Sequence, residues 1–405
     1  MPMKPVHPVL PEPTPALIQD LPAADSQSAL CLVKLQAFVL RYPIKTPVRT
    51  SFGTMHDRPA VFVRAEDADG QVGWGEIWCN FPACGAEHRA RLLDTVLAPL
   101  LLGQKFSGPA EAFAHCTRKT HILALQTGEP GPIAQVIAGI DLALWDLWAR
   151  RAGLPLHRLL GSSGDRLPVY ASGINPDAPQ DIVAARRADG YRGFKLKIGF
   201  GQALDLGNIA QVRAILQPGD ALMLDVNQAW DLRTAMSMLP LLQPHAISWL
   251  EEPLAADAPP EQWLQLQRHS VIGLAAGENM QGEAEFAAAA ESGVFAVLQP
   301  DLAKWGGISG CWPVIQRIRA AGLRFCPHFL GAGIGLMASA HVLAAAGGEG
   351  MLEVDANPNP LRSELAPPLA RVVEGEVALG ELPGLGFEVN LDQVSELCNA
   401  AQTID

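Results

Sequence analysis

Short apolar runs recur along residues 194–355, and each closes on a polar or charged side chain. The closing residues are Lys197 in FKLKIG, Asp225 in LMLDVNQ, Glu251 in ISWLEEPL, Glu278 in GLAAGEN, Asp301 in AVLQPDLAKWGG, His328 in FCPHF and Glu353 in MLEVDA. Successive intervals are 28, 26, 27, 23, 27 and 25 residues. Each interval is about one strand–loop–helix–loop unit of an eight-unit barrel, which takes about 200 or more residues. Buried parallel strands read as continuous apolar runs. A polar residue closing such a run lies at the strand's C-terminal end, the face where barrel enzymes keep their chemistry. One such residue alone would be an ordinary cap or a solvated charge; seven in register predict a shared mouth.

Barrel strands are predicted at 166–172 and near 193–197, 221–225, 246–250, 272–276, 295–299, 323–326 and 350–353, with helical patterns between them. Upstream, 32–42 and 60–66 read as strands, and Ala68, Asp69 and Gly70 turn into QVGWGEIW, a hairpin. The segment PIKTPVRTSFGTMHDRP between the first two strands reads as a polar loop long enough to be a lid. A second loop covers 79–87, and helical patterns cover 86–101, 108–124 and 132–161. Asp141 and Asp146 in the last of these read as capping or pairing residues near a domain junction. The chain is expected to divide into a Pro-rich N-terminal extension (1–30), an α+β capping domain (31–160), a (β/α)7β barrel (161–365) and a segment packing back on the cap (366–405).

The 405 residues are 49% hydrophobic, enough for a large core, with a net charge of −12 and no long basic run. Nucleic acid and anionic membranes are therefore poor partners. Positive charge for an anionic substrate must come from a metal or local lysines. The cysteine count of seven is odd and no Cys-x-x-Cys occurs, which fits a reducing, cytoplasmic location. No apolar run approaches the roughly 18 residues of a membrane span.

The chemistry follows from the convergence. Asp225, Glu251 and Glu278 on consecutive strand ends would repel one another without a counter-charge. An all-oxygen donor set selects Mg²⁺, with Mn²⁺ as a substitute, rather than zinc. Glu252 should point away from Glu251 and serve as a structural ion-pair partner. Lys195 and Lys197 share a strand face and should depress each other's pKa, suiting Lys197 to act as a base. Asp301 is placed to orient His328, a second acid or base. Glu353 could donate to a developing oxyanion if protonated. Together these describe removal of a proton next to a carboxylate, with an enediolate intermediate.

GQVGWGE, IDLALWDLWARRAGLPLHRLLG, FKLKIG, DVNQAW, EEPL, GEN, PDLAKWGGISG, PHF and GLGFEVN together resemble the enolase superfamily, mandelate racemase subgroup. The likeness covers roughly residues 32–390. It implies an α+β cap over a modified TIM barrel, (β/α)7β. It also implies Mg²⁺ on Asp225, Glu251 and Glu278, Lys197 and the His328–Asp301 pair as the two bases, Lys195 assisting Lys197, and Glu353 supporting the enediolate. Lysine or histidine bases beside Mg²⁺ are the known device of that superfamily. Asp301, where muconate-lactonizing relatives carry a lysine, favours the mandelate racemase type.

The expected reaction is dehydration of a hydroxylated carboxylic acid, an acid sugar, to a 2-keto acid; the alternative is racemisation or epimerisation of a 2-hydroxy acid. The lid, with Lys45, Arg49, His56 and Arg58 but only Phe52 as an aromatic, suits hydroxyls or a second carboxylate. Arg49, His56, Arg58 and Asn227 are the expected substrate contacts. The expected partner is a small carboxylate, and a homo-oligomer is expected. GAGIGL at 331–336 lacks the last glycine of a dinucleotide fingerprint, but its amides could hold an anionic group at a helix N-terminus. A nicotinamide oxidoreductase and a non-catalytic scaffold are the rival classes.

Overall fold

The computed structural model describes residues 29–49, 53–398 and 400–404. The extension 1–28 and the lid tip with Phe52 lie outside them. Three antiparallel strands, β1 (Leu30–Arg49), β2 (Thr54–Asp67) and β3 (Val72–Ile77), form the cap sheet. The expected lid loop is instead largely a hairpin. The β1–β2 ladder runs outward to Arg49↔Thr54, broken by a register shift between Pro43 and Val48. Pro43 and Pro47 lack the N–H that a continuous ladder needs. That Pro-rich polar composition made the stretch read as a loop. Past the short β4 (Lys105–Phe106), the far edge of β1 is extended by β14 (Ala400–Ile404).

Two long helices follow α1 (Gly85–Leu92): α2 (Pro109–Thr127) and α3 (Pro130–Arg151). α3 lies against β3, and a Cβ at Gly75 would stand 2.0 Å from the carbonyl of Gly139. Only glycine permits that approach, and Gly73 is held the same way, its Cβ position 2.2 Å from the carbonyl of Ala143, which accounts for two glycines of GQVGWGE. α3 is also, by length and composition, apolar enough to cross a membrane, with 89% of its most apolar window buried. The reading that no apolar run approached a span is corrected here. The few charges along α3 interrupt its runs but leave one window apolar enough to pass, and the helix serves as the core between cap and barrel.

Eight parallel strands build the barrel: β5 (Arg166–Ile174), β6 (Gly193–Lys197), β7 (Ala221–Asp225), β8 (Leu250–Glu251), β9 (Leu274–Ala276), β10 (Phe295–Leu298), β11 (Arg324–Phe325) and β12 (Leu352–Asp355). The helices between them are α4 (Pro179–Ala188), α5 (Gln202–Ile215), α6 (Leu232–Leu242), α7 (Pro260–His269), α8 (Glu283–Glu291), α9 (Gly307–Ala320) and α10 (Gly333–Ala346). The fold is a (β/α)7β barrel with an N-terminal α+β cap. At the seam between β11 and β12, the amide of Met351 donates to Cys326 Sγ at 3.4 Å. Tyr170, Met223, Trp249, Ala275, Val297 and Cys326 fill the barrel interior as one buried apolar cluster.

Buried carboxylates of the cap join the two parts. Glu76 of β3 accepts from Ala332 N (2.6 Å) and Gly335 N (2.9 Å) at the start of α10. Asp141 of α3 accepts from Ile308 N, Ser309 N and Ser309 Oγ at the start of α9. Helix N-termini present unpaired amides and a partial positive charge. The GAGIGL amides are thus filled by Glu76, a residue 256 positions from Ala332 in sequence, rather than by a substrate anion. Asp146 accepts from Trp74 N and Leu385 N, tying cap and C-terminal segment together.

Candidate active site

Register brings the predicted residues together. Lys197 pairs laterally with Asp225 on β6 and β7, and Asp225 with Glu251 on β7 and β8. Asn227, Gln228 and Glu252, just past these strand ends, have positive φ (45°, 64° and 39°). Such backbone strain in non-glycine residues collects at functional sites.

Each cation takes its own carboxylate. Lys195 Nζ lies 2.5 Å from Glu251 Oε1 and 2.7 Å from Glu353 Oε1, over the Tyr170 ring at 5.5 Å. Lys197 Nζ lies 2.5 Å from Asp225 Oδ2 and 2.6 Å from Asn227 Oδ1. His328 bridges Asp301 through Nδ1 (2.7 Å) and Glu278 through Nε2 (2.6 Å). With a carboxylate on each nitrogen, the ring is held as an imidazolium. Burial works against that charge, but Glu278 above all, with Glu353 and Asp301, holds its pKa well above the ordinary value. Asp301 is itself fixed by Ala303 N (2.9 Å) and Lys304 N (3.1 Å).

Three expectations change. The lysines do not depress each other into the neutral range in this arrangement. Burial disfavours both ammonium groups, but Glu251 on Lys195 and Asp225 on Lys197 outweigh it, and both pKa values are raised. Burial above all, with Asp225 and Glu353, pushes Glu251 up to about 7 against the pull of Lys195. Yet Lys195, Trp249 Nε1 (3.1 Å) and Gln299 Nε2 (2.7 Å) all donate to it, so the pair is ammonium and carboxylate. Glu353 is not a protonated donor in this arrangement. It accepts from Ser172 Oγ, Lys195 and Phe329 N, and Lys195 with His328 overcomes burial to hold it below its usual value. Glu252 has no lysine or arginine ion pair among the described residues; Asn279 Nδ2 donates to both of its oxygens, at 2.9 and 3.1 Å.

The lid residues separate. Arg58 is buried, 1% exposed, with Nη2 on Asp355 Oδ2 at 2.7 Å. It does not sit on the expected polar lid loop, because β2 carries it inward to the end of β12. His56 is exposed on β2. Arg49 closes the described end of β1, and its side chain lies outside the described residues.

Sequence reasoning missed Ser172, Asn279 and Trp78. Ser172 stands 25 residues before Lys197 and extends the same register by one unit, so the spacing could have found it. Asn279 sits beside Glu278 and links it to Glu252 and Lys304. Trp78 of the cap lies under the Lys304 ammonium at 5.1 Å, a contact between distant segments with no local signal.

Six carboxyl groups (Asp225, Glu251, Glu252, Glu278, Asp301, Glu353) face four cationic side chains (Lys195, Lys197, Lys304, His328). That excess and the all-oxygen set on three neighbouring strand ends fit a hard divalent cation. Among the described residues, no three such groups enclose an ion as they stand; Asp225, Glu251, Glu278, Asp301 and Glu353 are each turned to a lysine or to His328.

A capped (β/α)7β barrel with carboxylates, lysines and a histidine–aspartate pair at its mouth defines an enolase-type enzyme. The chain belongs to the enolase superfamily, mandelate racemase subgroup. Residues 34–161 match the mandelate racemase / muconate lactonizing enzyme N-terminal domain, and residues 179–394 match the enolase C-terminal domain-like family. A mandelate racemase/muconate lactonizing enzyme of Bordetella bronchiseptica RB50 is 55% identical, with TM-score 0.87, over 92% of this chain and 100% of that one. D-galactarolactone cycloisomerase of Agrobacterium fabrum is 29% identical, over 90% of this chain and 98% of its own length. L-talarate dehydratase of Polaromonas sp. JS666, solved with Mg and L-glucarate, is 27% identical with TM-score 0.77, over 93% of this chain and 99% of that one. The relatives are enzymes: dehydratases, cycloisomerases and racemases.

Proposed function

We propose that this enzyme removes the proton next to a substrate carboxylate and dehydrates a hydroxylated carboxylic acid, an acid sugar, to its 2-keto acid. The carrying observation is the opposition of two unlike proton-transfer groups: Lys197 ends β6, the Asp301-held His328 follows β11, and three carboxylates stand on strand ends between them. Asp225, Glu251 and Glu278 would hold Mg²⁺, or Mn²⁺ in its place, which when bound supplies Lewis-acid stabilisation of negative charge on the substrate carboxylate.

Lys197 would act as a neutral amine once Asp225, which holds its pKa up in this arrangement, is turned away from it; the neighbouring Lys195 ammonium favours that form. It takes the α-proton, and the C–H electron pair passes into an enediolate. The bond from the adjacent carbon to its hydroxyl then breaks with its electron pair, and His328 Nε2 delivers the proton that makes water. The enol left behind tautomerises to the 2-keto acid. Asp301 orients the ring, Lys195 assists Lys197, and Glu353 supports the enediolate through the Lys195 ammonium that it holds. Arg58 keeps Nη1 buried and, among the described residues, without a hydrogen-bond partner, and it is proposed to meet a substrate hydroxyl or second carboxylate together with Arg49, His56 and Asn227.

The domain boundaries expected above frame this site, with the cap over the barrel mouth. A cytoplasmic location is proposed, in line with seven free cysteines. A homo-oligomer is proposed too, for which exposed Ile122, Leu123 and Leu125 of α2 supply apolar surface. Racemisation is the second reading, favoured by the same opposed pair, which could take and return a proton on opposite faces. Acid sugars are to be incubated with enzyme and Mg²⁺, and products trapped with semicarbazide. A trapped 2-keto acid supports dehydration; an epimer with every hydroxyl kept establishes the second reading.

A further inference from the structure

In a complete eight-unit barrel, a helix follows every strand and covers its outer face. Here β12 is followed only by the single turns Pro360–Ser363 and Pro367–Ala370, before β13 (Glu376–Ala378) returns along β5. Where the eighth helix would lie, between α4, α10 and this segment, is a cavity of about 390 Å³. That is within the size range of small-molecule pockets.

The floor is apolar, with Leu336, Val354 and Leu369 buried beneath it. Three guanidinium groups line it, those of Arg186, Arg362 and Arg371. Its two carboxylates are engaged. Asp189 holds Arg186 at 3.1 Å. Asp355 Oδ2 is shared by Arg58 (2.7 Å) and Arg362 (3.3 Å), while its Oδ1 accepts from Asn357. One buried carboxylate between two guanidiniums leaves positive charge in excess. Arg371 is exposed, and no ion pair of it occurs among the described residues. On a chain of net charge −12, a locally positive cavity of this kind is a place for an anion. Guanidinium forks match carboxylate and phosphate oxygens.

We propose that the gap left by the absent eighth helix is an anion site, separate from the barrel mouth, for a small molecule bearing a carboxylate or phosphate group. An anion drawn to Arg362 competes with Asp355 for it. Occupancy would therefore alter the hold of Asp355 on Arg58 and so reach the β1–β2 hairpin.

Isothermal titration of the full chain with inorganic phosphate, and separately with succinate, in chloride buffer tests this. The expected result is saturable binding of at least one probe at a single site, and the tighter probe identifies the anionic group. The Arg186→Ala/Arg371→Ala variant, altered only at partly or fully exposed positions, should weaken binding by about tenfold or more, the worth of one charge-assisted hydrogen bond. Arg371→Ala alone serves if the double variant folds poorly. Lys197→Ala should bind as the parent does. No saturable binding of either probe, equal binding by the arginine variants, or loss of binding in Lys197→Ala would each overturn the proposal.

Discussion

Arg58 Nη2 of the cap lies 2.7 Å from Asp355 Oδ2 of the last barrel strand, across 297 positions of sequence. Both side chains are almost fully buried, at 1% and 2% exposure. Asp355 is two residues beyond Glu353, so this pair ties β2 of the cap to the strand that carries a catalytic carboxylate. Burial favours a neutral Asp355, but Arg58 and then Arg362 outweigh it and hold its pKa below the ordinary value.

Removing Asp355 leaves two buried guanidiniums without their carboxylate. Asp355→Ala should cost about 3–5 kcal/mol, the usual range for breaking a buried pair. Urea unfolding against the parent measures it. A loss no larger than that of the exposed control Asp189→Ala would show that the pair holds nothing.

Metal dependence follows from the carboxylate set. EDTA should abolish turnover and Mg²⁺ should restore it. Asp225→Asn should weaken Mg²⁺ binding in equilibrium dialysis, because it removes one charged ligand and releases Lys197 from its partner. Full activity in protein verified as metal-free would sink the assignment.

The two proton-transfer groups separate by isotope. His328→Asn should lower dehydration by about 10²–10⁴, the worth of general acid catalysis, while deuterium from solvent still enters the α-carbon through Lys197. Lys197→Ala should lose both. Asp301→Asn should resemble His328→Asn in direction, because the ring loses the negative charge that holds its Nδ1 proton and its imidazolium form. Normal turnover in both base variants would refute the two-base assignment.

Glu76 links pH to the docking of cap and barrel. Burial pushes its carboxyl up to about 7, against the pull of the Gly335 and Ala332 amides. The native state therefore holds its proton more tightly than the unfolded chain, whose value is the ordinary 4.5. The stability from this site is complete below that value and is lost as pH rises through about 7. Glu76→Gln should flatten this slope, worth roughly 1–3 kcal/mol. Unfolding midpoints at pH 5, 6 and 7 (chosen to bracket the window, about one unit apart) read it out; an unchanged slope in Glu76→Gln would assign the effect elsewhere.

The sequence by itself determined the barrel and the residues at its mouth. Each unit repeats an apolar run closed by a polar side chain, and in a parallel barrel that period places successive strand ends on one face. Lys197, Asp225, Glu251, Glu278, Asp301, His328 and Glu353 are legible because the information is local and periodic. Ser172 obeys the same period and was equally available.

Only the tertiary structure decided what each side chain touches. Arg58 reads as part of a polar lid loop until β2 carries it to Asp355, and the GAGIGL amides read as an anion site until Glu76 arrives from the cap. The lysine pair reads as mutually repelling until Lys195 and Lys197 each meet a carboxylate on another strand. In all three cases the deciding partner lies far away in sequence. Burial and ion pairing depend on the contents of the space around a group, and a one-dimensional pattern records which face a side chain takes but not what stands opposite it.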